Sequence, residues 1–434
     1  MATFSLTKLR FFALIKTFRP SYANFRNIHS SNDIVFREGL ERYVSEHEHA
    51  LAACQIYGNH IEKEERVSET FGETTFWRFD WYEYRDTTTR EEKILGVRSR
   101  TVFARGYEAI NNYIKNGGKL QNSQEAIAFA ALKRFCFKRE EHEKSLQKLS
   151  YKTSEAHVAS IVSHHFLSQL LPYPSNYFVD SYYTNGKSEV YCPCGCGEPI
   201  NFGSTLTGSP NLFYGFADAV LLPSKRNQYT DTEYSTSAVF SVKKKTDEMY
   251  RHRLAYQDLM YPSSDSNEED GISSEEHISE TNICDETLLC KQAIAVSFCK
   301  YRNFLNNDNR RNDLSNFVPA VPVCAITNDA YQFAVYHPEL DCLLKSTKPL
   351  RLFDEDYHYL KFSAIVDLWL MIYHSLYFSQ PSPHIADKLR GTANLIHQLG
   401  EERVENVIRS SHWLFLPHLC QNPFSRAPKL RFYD

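Results

Sequence analysis

Two short runs, LFYGFADAVLL at residues 212–222 and AVFSVKKK at residues 238–245, decide what this sequence predicts about its fold. Each is apolar and of strand length, and a loop separates them. The first run carries a single acidic residue, Asp218, and the second ends in three lysines. A lone carboxylate in an apolar strand is costly to bury unless it binds a metal, a cation or hydrogen-bond donors. The two runs therefore predict a hairpin that carries one specially placed acid.

Side-chain alternation brings this acid close to the lysines. Successive side chains of a strand point to opposite faces, so Val239, Ser241 and Lys243 share one face of the second run. If the two runs pair, Asp218 and Lys243 meet at that face. A carboxylate beside a lysine suits metal-assisted phosphodiester chemistry. A structural ion pair, or a solvated strand end, accounts for the same residues without any function.

At these residues the chain resembles the PD-(D/E)XK nuclease-like superfamily, whose pattern is an Asp followed, on the next strand, by Asp/Glu-x-Lys. Residues 215–218 (GFAD) fit the first element, and residues 241–243 (SVK) occupy the second. The resemblance implies that Asp218 is a Mg²⁺ ligand. It also implies that Lys243 orients the attacking water or stabilises the developing charge. Ser241 stands where a second carboxylate is expected, and a neutral hydroxyl is a weak Mg²⁺ ligand.

The serine leaves two alternatives open. Either another acid replaces the missing carboxylate, or the chain has kept the fold and lost catalysis. The candidate acids are Glu155, near the start of a predicted helix, and Asp231 or Glu233 between the two runs. Some relatives donate a metal-binding Glu from a helix in this place. An acid at a helix start is also favoured by the helix dipole alone.

The order of predicted elements adds to the resemblance. An amphipathic helix over residues 153–171 precedes the hairpin, a helix over residues 288–304 follows it, and residues 319–337 predict a second hairpin. Some relatives carry Gln-xxx-Tyr on the second helix; Gln292 fits, but Val296 stands four residues later. The predicted fold is α/β (α+β): a mixed central sheet flanked by helices, with a restriction-endonuclease-like core and a mostly helical N-terminal region.

The charge of the chain gives no global attraction to nucleic acid, since the net charge is -4 over 434 residues. Binding to DNA or RNA therefore depends on a local basic patch, formed by Lys244, Lys245, Arg251 and Arg253. Residues 263–286 contain many acids and no Lys or Arg, which predicts a disordered acidic insert.

The first 32 residues predict a mitochondrial transit peptide and hence a matrix location. They contain no Asp or Glu, and their five basic residues are spread among apolar ones. A basic tail or a nuclear signal is the alternative. The remaining chain divides into a mostly helical region (33–152), the nuclease-like core (153–353) and a helical C-terminal region (354–434).

Three thiols lie close together at Cys192, Cys194 and Cys196. They could bind Zn²⁺ with a fourth ligand from elsewhere in the chain. The spacing differs from a Cys-x₂-Cys knuckle and no second knuckle follows, so a thiol-rich turn in a reducing compartment is the competing interpretation.

The longest apolar run, residues 362–378, contains Asp367 and His374. These two residues interrupt a membrane span, and the run predicts a buried helix instead. Because they are seven residues apart they lie on roughly one helix face. A metal pair is one reading, and two satisfied core residues are the favoured one.

Three functional hypotheses follow from the sequence. The first is a Mg²⁺-dependent nuclease of the mitochondrion, and the second is an inactive nuclease fold that binds nucleic acid or supports assembly. The third is a structural factor whose contact surface is the aromatic patch at residues 76–82 (FWRFDWY). A buried strand explains that patch equally well.

Overall fold

The computed structural model describes residues 29–58, 69–71, 77–86, 90–149, 153–184, 190–222, 238–242, 286–306, 318–327, 329–354 and 359–414. Several expectations fall outside these ranges and stay predictions. They concern the leader up to residue 28, the acidic insert up to residue 285, Asp231, Glu233, the lysines 243–245, Arg251 and Arg253.

The helices of the described residues are α1 (His29–Glu46), α2 (Ser99–Val102), α3 (Ala104–Lys115), α4 (Ser123–Phe137), α5 (Arg139–Leu146), α6 (Glu155–Val162), α7 (Glu286–Leu305), α8 (Phe362–Ile372), α9 (His374–Tyr377), α10 (Pro383–Leu389), α11 (Leu395–Leu399) and α12 (Glu401–Ser410). A π-helical turn (Ser163–Leu167) and a 3₁₀ turn (Ser168–Leu170) continue α6, and a further 3₁₀ turn spans Ser181–Thr184.

The strands are β1 (Ala50–Gly58), β2 (Glu69–Thr70), β3 (Trp77–Trp81), β4 (Glu83–Arg85), β5 (Glu92–Ile94), β6 (Gly96–Arg98), β7 (Tyr177–Asp180), β8 (Phe202–Gly203), β9 (Leu206–Gly208), β10 (Phe213–Phe216), β11 (Ala219–Leu221), β12 (Ala238–Val242), β13 (Val321–Ile326), β14 (Ala330–His337), β15 (Cys342–Ser346), β16 (Leu350–Arg351) and β17 (His412–Leu414).

One large mixed sheet organises the molecule. Its 11 strands follow the order β3-β1-β15-β14-β13-β12-β11-β7-β8, with β16 paired to β14 and β6 paired to β1. A second sheet has the order β17-β9-β10-β2, and β4 and β5 form a small hairpin. The predicted α/β class, with a mixed central sheet flanked by helices, is confirmed.

The middle of the large sheet is built from the segments that the sequence singled out. Strands β7, β11 and β12 pair antiparallel in succession, with Ala219 opposite both Val179 and Phe240. Helix α7 then crosses over, and β13 returns parallel to β12. Parallel neighbours need such a crossover because a tight turn cannot join them. The second predicted hairpin is present as β13 and β14.

Both faces are buried in the middle of this sheet. Along β13, Val323 and Ala325 belong to the apolar cluster beneath α7, whereas Cys324 and Ile326 belong to the cluster beneath α6 and α8. The side chains that point to either face of β13 are apolar because neither face is in contact with water. Helix α8 is the buried helix expected from residues 362–378, and no described helix has the length and apolarity to cross a membrane.

The N-terminal part is helical, but it also contributes strands to the large sheet. Strand β1 lies between β3 and β15, with Ala53 opposite Leu344. Its sequence, ALAACQIYG, contains three alanines, which favour strands weakly, so local propensity gives little sign of it. The aromatic patch forms β3, where Trp77 is buried and Phe79 and Trp81 pack against the cluster beneath α7.

A buried ion pair joins α7 to the smaller sheet. Lys291 Nζ lies 2.6 Å from Glu69 Oε2, and the two side chains are 0% and 1% exposed. The ammonium also lies 5.7 Å from the centroid of the Phe213 ring. A buried charge that loses its partner destabilises the fold, because it stays out of water with no opposite charge beside it.

We expect Glu69→Gln to lower the free energy of unfolding by about 3–5 kcal/mol, because it leaves the Lys291 charge uncompensated in the core. Replacing both residues, as Glu69→Leu with Lys291→Met, should recover most of this loss. Urea denaturation measures both effects. The exposed pair Glu405 and Arg409 is the control, since Glu405→Gln should change stability by less than about 1 kcal/mol. Equal losses of stability from Glu69→Gln and Glu405→Gln would contradict the assignment of Glu69 and Lys291 as a buried ion pair.

Candidate functional site

Three polar side chains lie side by side on adjacent strands of the large sheet. The register that places Ala219 opposite Val179 and Phe240 also places Asp218 between Asp180 and Ser241. Directly opposed residues of an antiparallel pair share a face. Ser241 alternates with Phe240, so this face is the one that α7 covers. We use the name acid cluster for Asp180 and Asp218 of this face together with Glu155 of α6, a helix on the other face of the sheet.

Both carboxylate oxygens of Asp218 accept hydrogen bonds within the protein. Tyr183 Oη donates to Oδ1 at 2.5 Å, and Ser241 Oγ donates to Oδ2 at 2.9 Å. Ser241 is therefore adjacent to Asp218. The serine contributes a hydroxyl donor in the position where the superfamily pattern has an acid. Donors of this kind offset the cost of holding a carboxylate in a half-buried place.

A second acid, Asp180, ends strand β7 and is 5% exposed. Its Oδ2 accepts a 2.5 Å hydrogen bond from Thr205 Oγ1, and its backbone N–H donates to the carbonyl of Asp218 at 3.0 Å. No motif in the sequence singles out Asp180. The argument made for Asp218 applies to it as well, because Asp180 is an acid at the end of the apolar run YFVD. Asp180 is the residue directly opposite Asp218 in the pairing of β7 with β11.

Glu155 occupies the first turn of α6, which Ser154 caps by accepting from the N–H of His157. Burial raises the pKa of the Tyr183 phenol well above its ordinary value, and the charges of Asp218, Glu155 and Asp180 raise it further. The phenol is thus held protonated as a donor among three carboxyl groups. The structure brings Glu155 into the electrostatic neighbourhood of Asp218, from a helix on the other face of the sheet.

Gln292 lies on α7, which covers the face that carries Asp218. It is 1% exposed, and its side-chain oxygen makes no hydrogen bond within the described residues. Lys243 and the basic patch lie outside the described residues, so their distance from Asp218 stays a prediction.

The three clustered thiols meet a histidine that the sequence analysis did not name. His165 Nε2 lies 3.1 Å from Cys194 Sγ and 3.4 Å from Cys192 Sγ, and these two sulfurs are 3.4 Å apart. The four ligand atoms, with that of Cys196, all lie within 4.8 Å of one another. We call these four residues the cysteine cluster.

Its geometry suits a tetrahedral ion. A zinc ion at usual bond lengths holds two sulfurs about 3.8 Å apart and a sulfur and a nitrogen about 3.5 Å apart. The observed separations are within a few tenths of an ångström of these values for the three pairs with measured distances. Four residues that can hold a metal are therefore present, including the fourth ligand that the sequence could not name.

The protonation of His165 and Cys194 suits a metal, whereas burial raises the pKa of the Cys192 thiol, which a metal would have to deprotonate. Burial lowers the pKa of His165 to about 4, so its imidazole is neutral at pH 7. Burial raises the pKa of the Cys194 thiol, but hydrogen bonds from Ser145, Cys192 and Cys196 outweigh this and leave it lower than usual. Metal ligands must be a neutral imidazole and thiolates.

His165 was missed because nothing in its local sequence marks it. It sits in the π-helical turn that continues α6, 27 residues before Cys192. Such turns occur frequently at functional sites because the extra residue redirects side chains. The chain between the two segments folds back through β7, and this return brings histidine and thiols together.

Asp367 and His374 do not form a pair. Asp367 accepts hydrogen bonds from Tyr43 at 2.7 Å and Tyr331 at 2.5 Å, and His47 Nε2 lies 2.8 Å from its Oδ2. His374 Nδ1 lies 3.0 Å from the carbonyl of Met371. Asp367 is thus a buried carboxylate with its own partners, as the favoured interpretation expected.

Comparisons of this chain with protein-family models, with curated proteins and with solved structures find no match. The geometry of the two clusters is therefore the basis for any functional proposal.

We expect Thr205→Val to destabilise the fold by about 1.5–3 kcal/mol, because the buried carboxylate of Asp180 loses a hydroxyl donor. Thr205 is fully buried, and its hydroxyl oxygen also lies 2.5 Å from the carbonyl oxygen of Ala217, so its single proton is shared between two acceptors. Thr205→Ser keeps the hydroxyl and should cost only about 1 kcal/mol for one methyl group. Chemical denaturation compares the two variants, and equal losses would show that the hydroxyl carries no special weight.

Proposed function

We propose that this chain is a mitochondrial, metal-dependent phosphodiesterase of the PD-(D/E)XK kind, acting on DNA or RNA. One observation carries the proposal: Asp180, Asp218 and Ser241 lie in register across β7, β11 and β12. Asp180, opposite Asp218 across the pair of β7 and β11, is the acid that would compensate for the serine of the motif. The order helix, hairpin, helix, hairpin, as α6, β11–β12, α7 and β13–β14, further supports it.

The acid cluster has the donor chemistry of a Mg²⁺ site. Mg²⁺ prefers carboxylate oxygens and keeps several waters, and Asp180, Asp218 and Glu155 supply only oxygen. When bound, the ion would lower the pKa of a water and neutralise phosphate charge. In the proposed hydrolysis a water oxygen bonds to phosphorus, the bond from phosphorus to one sugar oxygen breaks, and that oxygen takes up a proton.

Each side chain has a part in this scheme. Asp218 and Asp180 would bind the ion, and Glu155 would bind it directly or through a water. Tyr183 and Ser241 hold the Asp218 carboxylate in place through their hydroxyl groups. Lys243, by resemblance, would orient the attacking water, while Lys244, Lys245, Arg251 and Arg253 would contact phosphates. Gln292, on α7, is a further candidate site residue, by resemblance to the Gln-xxx-Tyr helix of some relatives.

A second candidate is an inactive nuclease fold that binds nucleic acid or supports assembly in the organelle. One observation favours it, since both oxygens of Asp218 are already engaged by Tyr183 and Ser241. A metal ion would have to compete with these two hydroxyl donors for the carboxylate.

For the cysteine cluster we propose Zn²⁺, bound by His165, Cys192, Cys194 and Cys196. Three thiolates and one imidazole make up a closed set of the soft ligands that zinc takes at structural sites. The carboxylates of the acid cluster favour Mg²⁺ instead, so the two clusters would bind different ions.

The nuclease proposal predicts Mg²⁺- or Mn²⁺-dependent cleavage of single- or double-stranded DNA or RNA. Asp218→Asn and Asp180→Asn should each reduce the rate by about 100-fold or more, because each removes a charged ligand. Gel assays with end-labelled substrates measure this. Lys243→Met should abolish cleavage as well.

The sharpest control compares two glutamates in equivalent positions. Glu155 and Glu140 each lie in the first turn of a helix, so the helix dipole acts on both alike. Glu155→Gln should slow cleavage and Glu140→Gln should not. Absence of cleavage by the wild type, with salt-sensitive binding that Lys244→Ala with Lys245→Ala weakens, would support the inactive binder. Absence of both cleavage and binding would refute the nuclease and the nucleic-acid binder, and would leave support of assembly as the remaining candidate.

The zinc proposal predicts about one equivalent of zinc in protein purified without chelators, and below about a tenth of an equivalent in Cys194→Ser or His165→Gln. Elemental analysis by mass spectrometry measures the content. Cys136→Ser, a cysteine of α4 outside the cluster, should keep its zinc. Zinc-free wild type, or full zinc in Cys194→Ser, would refute the assignment.

A further inference from the structure

A second histidine-containing cluster lies where α1, β1 and α8 meet, on the far side of the large sheet from α7. His47 follows the end of α1, His49 precedes β1, and Asp367 lies in the middle of α8. His47 Nε2 is 2.8 Å and His49 Nδ1 is 3.8 Å from Asp367 Oδ2. One atom from each of the three residues lies within 4.8 Å of the other two.

His49 has no explanation as an ordinary core residue. Its side chain is 7% exposed, and neither ring nitrogen makes a hydrogen bond within the described residues. The nearest acid, Asp367, is beyond hydrogen-bond distance. Buried polar atoms are nearly always satisfied by a protein group, a water or an ion. An imidazole directed at a carboxylate and a second imidazole, without a hydrogen bond, therefore points to a ligand among the three.

The carboxylate is held as a metal ligand would be. Tyr43 Oη donates to Asp367 Oδ1, Tyr331 Oη donates to Oδ2, and Tyr107 Oη lies 3.2 Å from Tyr43 Oη. Outer hydrogen bonds of this kind orient metal-binding carboxylates in known sites.

We propose that His47, His49 and Asp367 bind a divalent transition-metal ion of the Zn²⁺, Co²⁺ or Fe²⁺ type. Imidazole nitrogen selects these ions over Mg²⁺ and Ca²⁺, and the absence of thiolate from the three ligands sets the site apart from the cysteine cluster. A tetrahedral ion places nitrogen and oxygen ligands about 3.3 Å apart, between the two distances observed. Three protein ligands leave one coordination position open.

The partly exposed ligand gives the site a route to solvent. The His47 side chain is 25% exposed, whereas those of His49 and Asp367 are 7% and 3% exposed. Solvent can therefore reach the ion from the His47 side, and a water can fill the open position. The site also joins three elements distant in sequence, so bound metal would tie α1 and α8 to the large sheet.

The rival explanation is a proton in place of the metal. A protonated His47 would form an ion pair with Asp367, and the hydrogen bond and charge of Asp367 do raise the pKa of His47 against the effect of its burial. An ion pair between His47 and Asp367 does not explain why the buried His49 imidazole makes no hydrogen bond within the described residues. The two explanations separate by whether His49 contributes to metal binding.

The test is a Co²⁺ titration of full-length protein whose cysteine cluster is loaded with Zn²⁺, in excess Mg²⁺ to occupy the acid cluster. We expect one further equivalent of Co²⁺, with visible d–d absorption and without thiolate charge-transfer bands. His49→Gln should weaken this binding by about 100-fold or more, and Tyr43→Phe by about 10- to 100-fold, since it removes only an outer hydrogen bond. His157→Gln, at an exposed histidine of α6, is the control and should bind as wild type.

Two outcomes would overturn the proposal: no additional Co²⁺ bound by wild type, or unchanged Co²⁺ binding in His49→Gln. If His49→Gln fails to fold, His47→Gln takes its place, because that side chain is only partly buried. A proton-only cluster predicts no extra Co²⁺ and no rise of Tm on adding it. The result is independent of whether the acid cluster cleaves nucleic acid.

Discussion

The middle of the central sheet is covered on both faces, so most of its polar side chains have little access to water, and much of this structure follows from that constraint. Most of these buried polar groups have a partner inside the protein, since an unpaired one costs several kcal/mol. Glu69 therefore meets Lys291, Asp180 meets Thr205, and Asp367 meets Tyr43. These partners come from distant parts of the chain, so each pairing also fixes the packing of two elements.

The two proposed metal sites beside β7 share their supporting elements. Glu155 and His165 lie on one continuous helical segment, α6 and the π-helical turn after it. From Cys196 the chain runs into β8, which pairs with β7 beside Asp180, and then to Thr205. The cysteine cluster is thus connected to the acid cluster by a few residues on each side, and an ion there would brace the elements that carry the acids.

The local sequence predicted a secondary-structure element correctly where the pattern of apolar residues matched the burial of that element. The hairpin of β11 and β12, the hairpin of β13 and β14, and helix α7 were all apparent, because long apolar runs bounded by loops have few alternative structures. Strand β1 was not apparent, because its alanine-rich sequence becomes a strand only through pairing with β3 and β15. The position of β1 between β3 and β15 is therefore decided by tertiary structure.

The sequence by itself singled out the candidate site residues near the hairpin, Asp218 and Ser241, and the three thiols at 192–196. It did so because an acid in an apolar run, or thiols two residues apart, are local features. Only the tertiary structure decided which residues complete each cluster, namely Asp180, His165 and the pair of histidines beside Asp367. Strand register and helix packing bring these groups within a few ångströms from tens to hundreds of residues away. The pattern of residues within one segment carries no information about how close that segment lies to a distant one.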